Sequence, residues 1–199
     1  MQLQPRDTGW IEVVCGPMFS GKTEELIRRL RRALIAQQGV VCVKPAKDDR
    51  YAVESIVSHQ GISLESSPIV RPQEILAHIT DATDVVGIDE VQFFDESVVD
   101  VAEHLAHSGI RVICAGLDQD YRGLPFGPMP HLMAVAEYVT KALAICMVCG
   151  NPAGRSYRVT EAEAQVLIGA QDHYEPRCRR CYRAGLEARA KQTKIHHMD

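Results

Sequence analysis

The sequence predicts an α/β fold with a parallel sheet, and two observations support this prediction. Short apolar runs rich in β-branched residues alternate with segments of helical periodicity between residues 10 and about 140. The first run ends in a glycine-containing loop, residues 16–23, which opens a helical pattern. Alternating buried strands and helices are typical of parallel sheets that are covered by helices on both faces.

The first elements are a strand, a helix and a second strand. Residues 11–15 form an apolar run that reads as a strand. From Thr23 the apolar residues recur on one helical face, and Gly39 is a stop signal for that helix. Residues 40–43 form a short β-branched run, which predicts a second strand.

The pattern continues through the middle of the chain. Residues 85–88 predict a buried strand, residues 97–107 a helix and residues 111–117 a further strand. Residues 118–130 contain three prolines and two glycines, so this stretch is predicted as a loop.

The character of the sequence changes after about Lys141. Residues 1–141 are predicted to form the α/β domain that carries the glycine-containing loop at residues 16–23. Residues 142–199 are predicted to form a small lobe with two cysteine pairs and a loop between them. The final stretch, residues 185–199, reads as a short helix with a frayed polar end.

Composition excludes several classes of protein. The 199 residues carry a formal net charge of -4, whereas general polyanion binders usually have an excess of basic charge. No stretch approaches the roughly 20 apolar residues of a membrane span. The N-terminal residues lack the charged-then-apolar pattern of a signal peptide. We therefore expect a cytoplasmic protein with neither a membrane nor a nucleic acid as partner.

Residues 16–23 match the phosphate-binding loop G-x-x-x-x-G-K-[ST] at every fixed position. Glycines let backbone amides turn towards a phosphate, Lys22 can reach the β- and γ-phosphates, and the Thr23 hydroxyl can bind Mg²⁺. The start of the following helix adds partial positive charge. A chance glycine turn is the alternative. The predicted contacts to ATP and Mg²⁺ are Gly16, Pro17, Met18, Phe19, Ser20, Gly21, Lys22 and Thr23.

Two adjacent acids follow the strand at residues 85–88. In phosphate-loop proteins an acid at the position of Asp89 holds Mg²⁺, directly or through water. Glu90 can accept a proton from an attacking oxygen near the γ-phosphate. That oxygen belongs to water in an ATPase and to a substrate hydroxyl in a kinase, and the motif leaves both open. A turn-capping role for Asp89 and a surface ion pair for Glu90 are the alternatives.

Two basic segments have competing interpretations. Arg50 lies in KDDRY after the second strand and can stabilise charge on a transferring phosphoryl group, but a solvated charge cluster is the alternative. The arginines of residues 28–32 lie on a helix whose other face is apolar. Such a basic run is also compatible with nucleic-acid binding, but we predict that these arginines form a solvated polar face. They are Arg28, Arg29, Arg31 and Arg32.

Two cysteine pairs predict a structural zinc site. Cys146-x-x-Cys149 and Cys178-x-x-Cys181 are separated by 28 residues, and four thiolates satisfy tetrahedral Zn²⁺ without an open position. Disulfides are disfavoured in a reducing compartment. The metal is expected to join the ends of a loop that folds over a ligand and excludes water.

Zinc ribbons also occur in nucleic-acid-binding proteins, which gives an alternative function. Residues 143–199 contain nine Lys and Arg and six Asp and Glu, a net of about +3 that a Cys₄ zinc site reduces to about +1. This charge is small for a surface that follows a phosphate backbone. A zinc-ribbon, nucleic-acid-dependent ATPase is therefore kept as the second hypothesis.

Six sequence blocks occur in order between residues 11 and 182: GPMFSGKTEELIRR, AKDDRY, IDEVQFF, GLDQDYRGLPF, the first C-x-x-C pair and IGAQDHYEPRCRRCY. Together they resemble the zinc-containing, cellular-type thymidine kinase family. The resemblance implies a RecA-like core with a parallel sheet and a small C-terminal zinc-ribbon lobe carrying a lasso-like loop. It also implies transfer of the ATP γ-phosphate to the 5′-hydroxyl of thymidine, a step of deoxynucleotide salvage.

The resemblance implies roles for individual residues. Glu90 corresponds to the general base, Lys22 and Arg50 to the cations on the phosphates, and Asp89 to the acid on the metal side. Asp48 and Gln92 correspond to further residues on the ATP side. The implied nucleoside contacts are Met18, Phe93, Leu117, Tyr121, Phe126, Ser156, Leu167, Gly169 and Tyr174.

Two further expectations come from the resemblance alone. Similar proteins assemble as homotetramers, and the end product thymidine triphosphate (dTTP) inhibits them. This chain departs from the usual pattern at Tyr121, where the family commonly has Phe, and at Asp49, where it commonly has Thr or Ser.

Overall fold

A computed structural model describes residues 8–46, 55–57, 63–160 and 173–196. Its largest element is a six-stranded sheet with the order β5-β2-β6-β7-β1-β8, in which every neighbouring pair is parallel. The six strands are β1 (Trp10–Cys15), β2 (Val40–Pro45), β5 (Ser67–Ile69), β6 (Val85–Ile88), β7 (Arg111–Gly116) and β8 (Tyr138–Lys141). A small antiparallel pair, β3 (Ser55–Val57) with β4 (Ser63–Glu65), lies outside this sheet.

Helices cover both faces of the sheet. They are α1 (Lys22–Ile35), α2 (Ser97–His107) and α3 (Met129–Val135), with 3₁₀ segments at Pro72–His78 and Val91–Phe93. Side chains alternate along each strand, so Val13 packs on the α2 face and Val14 on the α1 face. On the α1 face, Leu26 and Leu30 are fully buried, which is worth about 2 kcal/mol for each side chain.

The strand order explains where the functional residues meet. β7 lies between β1, which precedes the phosphate loop, and β6, which precedes Asp89. Since all the strands are parallel, their carboxyl ends lie at one edge of the sheet. The register places Cys15 opposite Gly116 and Ile88 opposite Cys114 at that edge.

The C-terminal lobe is built from two short antiparallel pairs and a helix. β9 (Ala144–Ile145) pairs with β10 (Pro152–Ala153), and β11 (Arg155–Arg158) pairs with β12 (Tyr174–Arg177). Helix α4 (Arg179–His196) follows. The described chain thus confirms an α/β fold with a parallel sheet and a cysteine-bearing lobe. The domain division at residue 141 stays a prediction.

Several predicted boundaries differ from the structure. Helix α1 ends at Ile35 rather than near Gly39, and the stretch predicted as a loop is followed by α3 from Met129. The C-terminal helix begins at Arg179 and spans 18 residues, so the short helix predicted over residues 185–199 is wrong. The reason is that the helix begins within the second cysteine pair: Cys178 directly precedes α4 and Cys181 lies in its first turn. No helix of the described chain is long and apolar enough to cross a bilayer.

The prediction of a solvated arginine face is wrong for Arg29. Its guanidinium is buried and donates to Glu12 on β1 at 2.6 Å and to Glu25 at 2.7 Å. Glu12 lies beneath α1 and also accepts hydrogen bonds from Arg111 and from the Trp10 indole. The remaining members of the segment, Arg28, Arg31 and Arg32, are exposed as expected.

Candidate active site

The phosphate loop has a backbone that its sequence explains. Gly16 and Gly21 adopt positive φ angles of 147° and 79°, where side chains are disfavoured. A Cβ atom on Gly16 would lie 2.3 Å from the carbonyl oxygen of Ala142, so the close approach of the chain after β8 also requires glycine. Phe19 has a φ of 64° as well. The loop is therefore preformed between β1 and α1.

Lys22 lies at the first position of α1 with its side chain enclosed by the loop. The residue is 8% exposed, and its Nζ donates a hydrogen bond to the carbonyl oxygen of Pro17 at 2.9 Å. Burial lowers the pKa of this amine, while the charges of Glu90, Asp89 and Asp118 act in the opposite direction. The charges of three carboxylates thus favour the protonated form of Lys22. Its hydrogen bond to the Pro17 carbonyl can be replaced by one to an anionic ligand.

Asp89 and Thr23 converge at the carboxyl end of β6. The Thr23 hydroxyl lies 3.3 and 3.4 Å from the two carboxylate oxygens of Asp89. Burial and the neighbouring Glu90 charge raise the pKa of Asp89 to about 7. Three oxygen atoms from two side chains thus meet beside Lys22, which is the type of donor set that Mg²⁺ binds.

Glu90 has an unusual backbone and a held side chain. It adopts the left-handed conformation (φ 50°, ψ 35°), which costs a residue other than glycine about 1–2 kcal/mol. The side-chain amide of Gln92 donates to Glu90 Oε2 at 2.5 Å. The amide oxygen of Gln92 in turn accepts the backbone N–H of Leu117 at 3.0 Å. Strain at such a position is often retained at functional sites.

Among the described residues, three contacts involve side chains or backbone groups expected near a nucleoside. Met18 N–H in the phosphate loop donates to Ser156 Oγ on β11 at 3.0 Å. The rings of Phe93 and Phe126 pack edge to face with centroids 5.6 Å apart. The third contact joins Tyr121 after β7 to Tyr174 on β12 through the guanidinium of Arg158.

Four of the predicted site residues lie outside the described residues. They are Asp48, Arg50, Leu167 and Gly169. The other predicted residues belong to the sheet edge, to the loop after β7 or to the cysteine lobe.

Sequence reasoning missed two buried groups, one at the sheet edge and one in the lobe. Asp118, two residues beyond the end of β7, is buried and accepts a hydrogen bond from Lys141 Nζ. Its place after a buried parallel strand was a usable signal, because such strand ends converge. Arg158 is also buried, but nothing in the local pattern of β11 distinguishes it from a solvated arginine.

The four lobe cysteines form the candidate metal centre. Their sulfur atoms all lie within 4.8 Å of one another. Tetrahedral Zn²⁺ with Zn–S bonds of about 2.3 Å separates its sulfurs by about 3.8 Å, so the cluster fits a zinc ion. The side-chain amide of Asn151 donates towards Cys149 Sγ at 3.4 Å. Two strand pairs and α4 meet at this cluster.

Comparison with known proteins gives two consistent findings. The chain matches the family model described as thymidine kinase over residues 9–182. It is also similar to the thymidine kinase of Rhodothermus sp. (strain ITI 518), with 60% identity over 174 residues that cover 87% of this chain and 81% of that protein. The matched region includes the sheet edge and both cysteine pairs.

Proposed function

The chain belongs to the thymidine kinase family, and on that basis we propose that it transfers the γ-phosphate of ATP to the 5′-hydroxyl of thymidine. The products are ADP and thymidine monophosphate. One observation carries the assignment of roles: Glu90 is hydrogen-bonded by Gln92 at the sheet edge that also bears Lys22 and Asp89.

The phosphate loop supplies the ATP-binding half of this site. Backbone amides of residues 16–23 surround the phosphates, and Lys22 exchanges the carbonyl of Pro17 for a phosphate oxygen. A charge-assisted hydrogen bond to phosphate is stronger than one to a neutral carbonyl, which favours the exchange. Asp48 is proposed to lie on the same side.

Thr23 and Asp89 are the proposed ligands of Mg²⁺. Their oxygens already converge, and carboxylate and hydroxyl oxygens suit this hard cation. When bound with ATP, Mg²⁺ neutralises charge on the β- and γ-phosphates. Asp89 acts there as a carboxylate, since the positive charge offsets the burial that raises its pKa.

Glu90 is the proposed general base. Its carboxylate accepts the proton of the 5′-hydroxyl while that oxygen attacks the γ-phosphorus. The bond from the γ-phosphorus to the β,γ-bridging oxygen breaks, and ADP leaves with the electron pair. Lys22 and Arg50 stabilise the negative charge on the transferring group.

Gln92 is proposed as a positioning residue for Glu90. The resemblance places it among the residues on the ATP side, but its amide nitrogen donates to Glu90 and its amide oxygen accepts the Leu117 N–H. Both polar ends of the amide are thus engaged inside the protein. This pairing supports orientation of the base rather than direct contact with nucleotide.

The cysteine lobe is proposed to cover thymidine. Zn²⁺ at the four cysteines would join the segments on either side of the lasso, so its role is structural. Main-chain groups of the lasso bind the edge of the base, and apolar walls accept its methyl group. The proposed nucleoside contacts remain Met18, Phe93, Leu117, Tyr121, Phe126, Ser156, Leu167, Gly169 and Tyr174.

The remaining expectations are part of the same proposal. They are a homotetramer, feedback inhibition by dTTP, a cytoplasmic location, and no nucleic acid or membrane as partner. Sedimentation velocity tests the first, and a monomer would contradict it. Initial rates of ADP release with and without dTTP test the second, and rates that dTTP does not lower would contradict it.

A coupled assay of ADP release tests the function. We expect ADP to form with ATP and thymidine, and to form far more slowly with purine nucleosides or with no nucleoside. Phosphate release that requires a polynucleotide and ignores thymidine would instead support the nucleic-acid-dependent ATPase.

A further inference from the structure

Arg158 is a buried arginine on β11 of the C-terminal lobe. It ends β11 and is 1% exposed. Its guanidinium carbon lies 3.6 Å from the ring centroid of Tyr121 and 5.1 Å from that of Tyr174. Its Nε donates to the Tyr174 hydroxyl at 3.2 Å, and its Nη2 donates to the same oxygen. One guanidinium therefore contacts two of the proposed nucleoside-binding rings.

The two rings come from different parts of the chain. Tyr121 belongs to the loop after β7, at the sheet edge, whereas Tyr174 opens β12 in the lobe. The backbone pairing sets Arg158 directly opposite Tyr174. Tyr182 on α4 donates its hydroxyl hydrogen to the carbonyl oxygen of Tyr121 at 2.7 Å, which holds the loop from its backbone side.

The backbone of Arg158 is held as well. Arg189 on α4 donates to the carbonyl oxygen of Arg158 and lies 3.4 Å from that of Thr160. Helix α4 thus fixes the strand end from which the guanidinium reaches Tyr121. Burying a charged guanidinium costs free energy unless neighbouring groups compensate for its lost hydration. Three elements contact the Arg158 residue, namely the loop after β7, β12 and α4. This arrangement indicates a specific role for the buried side chain.

We propose that Arg158 is a positioning residue for the nucleoside: it holds the Tyr121 and Tyr174 rings in the geometry that receives the base. This inference rests on the proposed function and deepens it. A planar guanidinium can stack on one ring and bond the hydroxyl of the other, which the compact ammonium of lysine cannot do. Rings that are already ordered lose less freedom on binding, so the effect is on nucleoside affinity.

Arg158→Lys is the informative variant, and Arg122→Lys is its matched control. Arg122 lies 5.7 Å from the same Tyr121 ring, but its side chain is 51% exposed and bonds Asp120. We expect Arg158→Lys to raise the KM for thymidine at least tenfold, with kcat and the KM for ATP within about twofold of wild type. Arg122→Lys is expected to leave all three unchanged.

Tyr174→Phe tests the hydrogen-bonded arm with the ring retained. We expect a smaller rise in thymidine KM, and we expect the double variant with Arg158→Lys to be no worse than Arg158→Lys alone. An unchanged thymidine KM in Arg158→Lys overturns the inference, as does a fall in kcat without a KM change. If Arg158→Lys does not fold, an unchanged KM in Tyr174→Phe overturns it. Thymidine turnover by the wild type tests the proposed function separately.

Discussion

The phosphate site and the cysteine lobe are built in different ways. The phosphate site uses residues 16–23 and two acids that follow β6, all placed by the backbone of one parallel sheet. The lobe brings its residues together through side chains from β11, β12 and α4, with the four cysteines at its centre. Backbone geometry positions the first site, and long-range contacts position the second.

This difference suggests a division of labour. The sheet edge holds the groups proposed to act on phosphate, whereas the lobe holds groups proposed to bind the nucleoside. Changes at the sheet edge should therefore alter the rate of phosphoryl transfer. Changes in the lobe should alter thymidine affinity and leave the rate of the bound complex nearly intact.

Glu90→Gln is expected to have the largest effect. The amide keeps the shape of the side chain but cannot accept the hydroxyl proton, so kcat should fall about 10³-fold with binding of ATP and thymidine nearly unchanged. Steady-state kinetics measure kcat, and calorimetric titration measures the binding of ATP and thymidine. Glu96→Gln, at an exposed acid, should behave as wild type. Full activity in Glu90→Gln would remove Glu90 from its role.

Arg29→Met tests the buried ion pair beneath α1, the helix that follows the phosphate loop. It leaves Glu12 buried beneath α1 with one partner fewer, which should lower the free energy of unfolding by about 3 kcal/mol. Urea unfolding measures this. Arg32→Met, an exposed change on the same helix, should alter it by less than about 0.5 kcal/mol. Equal changes in the free energy of unfolding in the two variants would show that the buried ion pairs of Arg29 add no stability beyond that of an exposed arginine.

Cys146→Ser tests whether the four-cysteine cluster holds zinc and stabilises the lobe. Loss of one thiolate should release zinc and raise the thymidine KM about tenfold or more, with less effect on ATP. Metal analysis and kinetics measure the two. The control Cys42→Ala changes a buried cysteine packed near α1 and should retain zinc. Full metal content and unchanged thymidine affinity in Cys146→Ser would contradict this account of the lobe.

Gln92→Leu tests whether Glu90, the proposed base, depends on Gln92 for its position. We expect kcat to fall roughly tenfold, since a misplaced catalytic group reduces the rate strongly, while the KM for ATP stays within about twofold. Gln92→Glu serves as a comparison of similar shape, and its added charge beside Glu90 should also lower kcat. A rise in the KM for ATP with normal kcat would return Gln92 to the nucleotide contacts.

The smallest expected effect concerns acid stability. The hydrogen bond from Arg28, opposed by partial burial and aided by Arg29, lowers the pKa of Glu25 to about 2. Because this pKa is depressed from 4.5, the stabilisation is complete above about pH 4.5 and is lost as the pH falls towards 2. Urea unfolding of Glu25→Gln should therefore show a deficit on the order of 1 kcal/mol at pH 6 that shrinks at pH 3.

Glu187→Gln is the control for this pH effect, since its pair with Arg183 is exposed on both sides. A Glu25→Gln deficit that stays constant from pH 6 to pH 3 would contradict the ionic origin of the effect.

The strands and the phosphate loop at the sheet edge were predictable, because strand periodicity and the loop motif are both patterns of a few neighbouring residues. The strand at residues 85–88 and the helix at residues 97–107 match β6 and α2 residue for residue. The convergence of Thr23 and Asp89 follows from parallel strands.

Side-chain partners far apart in the sequence could not be predicted. Nothing in the arginine-rich pattern of α1 shows that Glu12 lies beneath Arg29, 17 residues away. The same holds for Arg158 and Tyr121, which are far apart in the sequence and are in contact in a structure where β12 pairs with β11 and α4 bonds the Arg158 carbonyl. The left-handed backbone conformation at Glu90 could not be predicted either, because the position is not occupied by glycine.

The most direct test of the division of labour combines Glu90→Gln with Arg158→Lys. Single-turnover rates at saturating ATP and thymidine, together with equilibrium thymidine binding, are measured for both single variants and the double variant. We predict that Glu90→Gln changes only the rate, that Arg158→Lys changes only the Kd, and that the double variant shows both changes in full. A Kd shift in Glu90→Gln as large as that in Arg158→Lys would contradict the separation.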